Sequence, residues 1–262
     1  MPTVREIESA LYELAPRELA MEWDNVGLLV GSPDREVRRI LVALDVTEGV
    51  STEAADMGAE LIVAHHPVMN CAWAPVQTLR DDTPQGRLLA ALVRQNLSAI
   101  CMHTNLDRAD GGVNDALAAA LGLEDVEKLP GGDGIVRQGR LPAAMALPDF
   151  LGKVEKVLGP NGIRYAGSGQ PVQRVAVGGG ACGSFFRAAA AEGCDAFVTA
   201  DVKYDQFLDA GALGLTLIDA GHFPTEDVIC PVLVQFLRDR FQGVEVARSA
   251  VHREVVQYFP VP

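Results

Sequence analysis

Short apolar runs alternate along this chain with stretches in which apolar residues recur every three or four positions. Val4, Ile7, Leu11 and Leu14 follow a helical period, with Thr3 placed to cap it. The pattern then predicts a buried strand over 39–45, a helix over 47–57 closed by Gly58, and a strand over 61–64. A helix over 85–95, a strand over 99–102 and a helix over 112–121 complete this rhythm. Residues 123–141 are rich in glycine and charge and read as a break between lobes. Beyond it the alternation resumes, with helices over 148–158, 184–192 and 203–210 and strands over 172–177, 196–199 and 215–219. Residues 224–241 read as the longest helix, and strands around 244–247 and 255–259 close the chain. Short apolar strands separated by helices imply an α/β protein of two similar lobes with mainly parallel sheets covered on both faces. The expected division is 1–126 with 220–262 as one lobe, carrying the candidate metal ligands, and 127–219 as the other.

Composition narrows the class. A chain of 262 residues, 48% hydrophobic and 22% charged, can bury a sizeable core. The net charge of −13 argues against broad nucleic-acid or anionic-membrane binding, both of which need a positive face. The N-terminus is polar and acidic, without the apolar stretch of a secretory signal, and no run is long enough to span a membrane. The cysteines Cys71, Cys101, Cys182, Cys194 and Cys230 are scattered, odd in number and form no CxxC pair. They read as reduced, buried thiols of a cytoplasmic protein.

Four of the five histidines lie in compact polar motifs: His65 and His66 in Ala64-His-His-Pro67, His103 in His103-Thr-Asn-Leu-Asp107, and His222 in Gly221-His-Phe-Pro-Thr-Glu226. Each motif follows a predicted strand, and in a parallel sheet the loops after strand C-termini share one edge, where ligands bind. Neighbouring side chains of a strand alternate faces, so His65 and His66 are expected to diverge, which suits two ions better than one. Pro224 fits a first helical turn, which would place Glu226 near a helix N-terminus, where the dipole favours its carboxylate. Mixed imidazole and carboxylate donors suit two divalent ions, Zn, Mn or Fe, with Mg in weaker sites. His103 and Asp45 read as partners that orient ligands. Lys203 and Tyr204 are candidates to contact an anionic substrate. Trp23-Asp24-Asn25 is either a loop facing the site or an anchored turn with Trp23 packed and Asp24 capping. His252 has no partner motif and reads as a surface residue. Gly178 to Gly183 matches GxGxxG between a strand and a helix. With no suitable acidic residue ending a following strand, it reads as a tight turn whose amides approach a phosphate, not as a dinucleotide fold.

These residues also carry a resemblance. Glu22-Trp-Asp-Asn-Val-Gly-Leu-Leu-Val-Gly31, Asp45-Val-Thr-Glu48, Gly111-Gly-Val-Asn-Asp115 and the three histidine motifs resemble the Nif-three-like family, whose members are labelled GTP cyclohydrolase I type 2 homologues. The resemblance runs nearly end to end and matches the compact form, without an inserted middle domain. It implies a two-lobed α/β fold with a dinuclear metal centre in the cleft between the lobes, and a homohexameric ring. It implies His65, His66, Asp107, His222 and Glu226 as ligands, with Glu226 bridging the ions and serving as a catalytic base. The chain departs from the family where Lys-His-His is common, reading Asp201-Val-Lys-Tyr-Asp205, and in the segment 68–73. The expected activity is hydrolysis of a nucleotide-like or phosphorylated small molecule, for which the family label implies the GTP cyclohydrolase type. The alternatives are a phosphoesterase and a non-catalytic, ring-shaped metal-binding or regulatory protein.

Overall fold

The computed structural model describes residues 1–69, 75–167 and 169–259. Its contacts divide the chain into two compact units: Met1–Asp110 with Ile229–Arg253, and Gly111–Val228 with the residues from Glu254.

The first unit holds a five-stranded sheet in the order Gly27–Val30, Ser98–Cys101, Leu61–Ala64, Arg39–Ala43, Glu245–Arg248. Gly27–Val30 pairs antiparallel, and the other three pairings are parallel. The central strands are buried on both faces, so they are apolar runs without alternation. Helix Val4–Leu14 begins at the expected Thr3 cap, which the structure extends to a capping box: Thr3 and Glu6 satisfy each other's backbone amides. Helices Glu48–Asp56 and Pro84–Arg94 are capped by the Thr47 and Thr83 hydroxyls. Leu41, Ile62, Leu89, Leu92 and Ala99 form the buried cluster between sheet and helices.

The second unit holds a six-stranded sheet in the order Glu124–Lys128, Arg137–Met145, Val172–Val177, Ala196–Thr199, Thr216–Asp219, Arg164–Ala166. Two of its five pairings are parallel, so this sheet is mixed, unlike the mainly parallel sheet expected. The stretch 123–141, expected to be a break, supplies two antiparallel strands. Its first strand is exposed at every position and gives no apolar signal, as suits a charged sheet edge. The second bends out of register between Arg140 and Met145, where Pro142 cannot donate to the ladder. Helix Val113–Ala120 belongs by its contacts to this unit and not to the first lobe, because Leu117 and Ala118 pack with Phe150, Val175, Val198 and Ile218.

The long helix expected over 224–241 is two helices, His222–Glu226 and Ile229–Arg240, and the boundary between the units falls between them. Pro231 accounts for the interruption: it has no N–H for the Asp227 carbonyl, and its ring would clash there. Residues 255–259 form no strand. Cys101, Cys182, Cys194 and Cys230 are buried thiols outside any disulfide among the described residues, whereas Cys71 and most of the divergent segment 68–73 lie outside the described residues. Among the described residues no helix is long and apolar enough to cross a membrane.

Candidate metal centre

In the first unit, three imidazoles gather at the C-terminal ends of two adjacent parallel strands. His65 and His66 leave Leu61–Ala64 in a bend, and both of their amides donate to the Leu44 carbonyl. The bend ends the strand alternation, so the two rings do not diverge. Their centroids are 4.9 Å apart and their planes tilt by 45°. His103, one residue beyond Met102, lies 5.3 Å from His65 and 5.6 Å from His66 by ring centroids. One ring nitrogen of each of the three lies within 4.8 Å of the others. The expected orienting residue His103 therefore stands in the imidazole cluster itself.

Each of these rings has its Nδ1 taken by an oxygen acceptor. His65 Nδ1 donates to the Met102 carbonyl at 2.7 Å. His66 Nδ1 donates to Asp45 Oδ1 at 2.8 Å, and His103 Nδ1 to the Asp24 carboxylate at 3.0 Å. A carbonyl or carboxylate can only accept, so Nδ1 carries the hydrogen and each neutral ring keeps its lone pair on Nε2. Asp107, on the helix Thr104–Arg108, sets its Oδ1 3.6 Å from Nε2 of the fully buried His65. That is longer than a hydrogen bond and close to the ~3.4 Å between tetrahedral donors on one ion with bonds of about 2.1 Å.

The orienting carboxylates are held in turn. Asp24 also accepts from the Thr104 amide and hydroxyl, at 3.0 and 2.6 Å, so it caps the helix that carries Asp107 while it aims His103. The cap and the site-facing reading of its loop meet in this one residue, but Trp23 is not packed as expected: it is 45% exposed and stands edge-on to the His103 ring. Burial raises the Asp24 carboxyl, but the bonds from His103 and Thr104 outweigh it and leave it below the ordinary carboxylate range. Asp45 is likewise raised by burial and pulled well below that range by hydrogen bonds from His252 and His66. His252 is thus not a surface residue: its side chain is 8% exposed, and its Nε2 lies 2.9 Å from Asp45 Oδ2. A lone histidine in a polar C-terminal stretch carries no local pattern that marks this long-range pairing.

In the second unit, His222 and Glu226 lie one helical turn apart, with Nε2 3.1 Å from Oε2. Their helix begins at Gly221, whose φ of +87° no residue with a side chain adopts easily. Glu226 closes this single turn and is 5% exposed, so it does not sit at the start of a long helix as expected. His222 Nδ1 bonds Asp201 Oδ2 at 2.7 Å, a partner that sequence reasoning missed. Burial lowers the His222 imidazole, but the bonds to Asp201 and Glu226 prevail and push it up to about 11. Lys203 and Tyr204 lie exposed at the start of the helix Tyr204–Ala212.

The glycine loop after Val172–Val177 serves this pair. The Gly179 amide donates to Asn114 Oδ1 at 2.7 Å and the Gly180 amide to Thr225 Oγ1 at 3.0 Å, so neither is offered to a phosphate. A Cβ on Gly180 would lie 2.0 Å from Glu226 Oε1 and 3.1 Å from His222 Nε2. The glycines make room for the carboxylate and imidazole, which corrects the phosphate-loop expectation.

Neutral imidazole Nε2 atoms beside carboxylates form the donor set that zinc, manganese and iron take. The relatives agree with the motifs. The family described as Duf34/NIF3 (NGG1p interacting factor 3) matches residues 2–254. A protein of Clostridium perfringens called GTP cyclohydrolase 1 type 2 homolog is 34% identical over 238 residues, covering 88% of each chain. One of the same name from Streptomyces coelicolor is 38% identical over 237 residues, covering 86% of this chain and 82% of its own. The crystal structure of a Bacillus cereus protein related to NIF3 superposes with a TM-score of 0.91 at 25% identity, over 99% of both chains. With motif, fold and relatives concordant across nearly all its length, this chain belongs to the Duf34/NIF3 family.

Proposed function

We propose that His65, His66 and Asp107 of the first unit and His222 and Glu226 of the second are the ligands of two divalent metal ions, and that the protein is a metal-dependent hydrolase. The observation that carries this reading is the tautomer control: three imidazoles have Nδ1 engaged by fixed acceptors, so that each neutral ring carries its lone pair on Nε2. Core histidines satisfied for packing alone would not need all three lone pairs gathered on one side.

When bound, such ions polarise an electrophilic carbon or phosphorus centre and lower the pKa of water toward neutrality. The residues of the chain supply the rest. Asp45 and Asp24 fix the imidazoles, and Glu226, held beside His222, is the carboxylate placed to take up a proton. In each unit one carboxylate, Asp107 or Glu226, against the two positive charges of a divalent ion would leave net positive charge within an acidic protein, which selects a small anionic substrate, nucleotide-like or phosphorylated. The names of the relatives suggest opening of a guanine ring; a phosphoester would be served by the same donors.

The test is metal analysis of the purified protein, then turnover. About two ions per chain are expected, with stoichiometry falling in His65→Ala and His222→Ala. Glu226→Gln should lose turnover of a nucleotide and phosphoester panel while keeping its fold. Absence of any bound transition metal under all loading conditions would remove the reading. Metal without turnover would reduce it to the binding or regulatory role.

A further inference from the structure

His252 closes a chain of contacts that begins at the histidine pair. The polypeptide beyond Glu245–Arg248 is strapped across the first unit. The Ser249 amide donates to the Val42 carbonyl at 2.8 Å. The Ser249 hydroxyl donates to Glu53 Oε2, and the Ala250 amide donates to Glu53 Oε1 at 2.8 Å. The His252 amide donates back to Ser249 Oγ at 3.1 Å. Four bonds over four residues fix where the His252 ring points, and it points at a residue 207 positions earlier.

That residue is Asp45, whose two carboxylate oxygens are divided between two imidazoles. Oδ1 accepts from His66 Nδ1 at 2.8 Å, and Oδ2 faces His252 Nε2 at 2.9 Å. The same Nε2 lies 3.1 Å from the Asp45 amide nitrogen, and one nitrogen cannot donate to the oxygen and accept from the amide at once. The charged oxygen makes the stronger bond, so the hydrogen is assigned to Nε2 and directed at the carboxylate. A carboxylate held at one oxygen can swing about its side-chain torsion. Held at both, it presents Oδ1 to His66 in one orientation.

We propose that His252 is a positioning residue for the metal centre, fixing Asp45 so that His66 keeps its hydrogen on Nδ1 and its lone pair on Nε2. The inference rests on the metal reading for its purpose, though the His252–Asp45–His66 relay is testable without metal. It gives the C-terminal strap a function: it carries one hydrogen-bond donor to the back of a ligand.

The experiment uses the full chain labelled with 15N-histidine, the His66 resonances being assigned by their loss in His66→Ala. Wild type, His252→Ala and His252→Gln are compared with and without metal. In metal-free wild type, His66 should show the Nδ1–H tautomer. His252→Ala should populate the Nε2–H tautomer and weaken one of the two metal equivalents on the order of 10–100-fold in a chelator competition. His252→Gln, whose amide can donate to the same oxygen, should restore both readouts to near wild type. Thermal midpoints of the three proteins separate this from simple loosening of the strap, which the glutamine would not repair. An unchanged His66 tautomer in His252→Ala overturns the proposal, as does a glutamine variant that behaves like alanine. If wild type binds no metal yet the tautomer shifts as expected, the positioning role stands and the metal reading falls.

Discussion

At the scale of single residues, the candidate site is defined as much by what is missing as by what is present. Gly180 has φ +61° and stands where any side chain would enter the Glu226 carboxylate. Gly180→Ala should therefore cost about 1–2 kcal/mol for its left-handed backbone alone. Displacing Glu226 should lower metal affinity on the order of 10–100-fold, read by chelator competition against an otherwise folded protein. A variant with wild-type affinity would show that Glu226 need not occupy this position. The candidate ligands are legible in the sequence because histidine is scarce here and three motifs concentrate it after strands. Their partners are not. Asp201 and His252 act through contacts 21 and 207 positions away, and nothing local marks either one. The glycine run was visible, but its purpose was misread, since a turn that admits a phosphate and a turn that admits a neighbouring carboxylate are spelled with the same residues.

At the scale of elements, periodicity finds the strands buried along their length and misses the short partly buried Gly27–Val30 and Arg164–Ala166 and the charged strands Glu124–Lys128 and Arg137–Met145. Arg137 shows why. It opens a strand, is 1% exposed, and is matched by a two-point ion pair with Asp115 at 2.9 and 3.1 Å and by the Gly134 and Ile135 carbonyls. A buried arginine makes its strand look like a charged loop. The pair also ties strand Arg137–Met145 to helix Val113–Ala120, the element expected in the other lobe. Asp115→Ala leaves the guanidinium buried without its carboxylate. It should destabilise the second unit by about 3–5 kcal/mol in chemical denaturation, well beyond an ordinary surface substitution. Replacing both partners together, Asp115→Ala with Arg137→Met, should recover much of that loss, because a buried ion pair is weak net stabilisation. If the single variant costs under about 1 kcal/mol, the strand is held by its ladder alone. The division of the helix expected over 224–241 has a similarly local cause in Pro231, visible in the sequence but outvoted there by the apolar period.

At the scale of the whole molecule, stability and metal binding should be coupled through protons, and the sign follows from His222. Its imidazole is raised from 6.5 to about 11, so in metal-free protein it carries a proton across the neutral range, bracketed by Asp201 and Glu226. A group whose folded pKa is raised stabilises fully below its unfolded value, and loses that contribution as pH rises through its folded one. The His222 contribution to metal-free stability is therefore complete below pH 6.5 and declines toward pH 11. A cation needs the lone pair that this proton occupies, so binding must expel it, and binding strengthens as pH rises through the same window. Metal bound only to the folded state adds RT ln(1 + [L]/Kd), about 2.7 kcal/mol per site at a hundred times Kd. The difference in melting temperature between metal-loaded and chelator-treated protein should consequently be small near pH 6 and widen through pH 9. Calorimetry in buffers of different ionisation enthalpy should register proton release on binding. His222→Gln has no proton to expel there, so its difference should be smaller and flatter with pH. A wild-type difference that stays constant from pH 6 to 9 would mean that His222 is not displaced from its carboxylates by the metal, and would remove it from the ligand set.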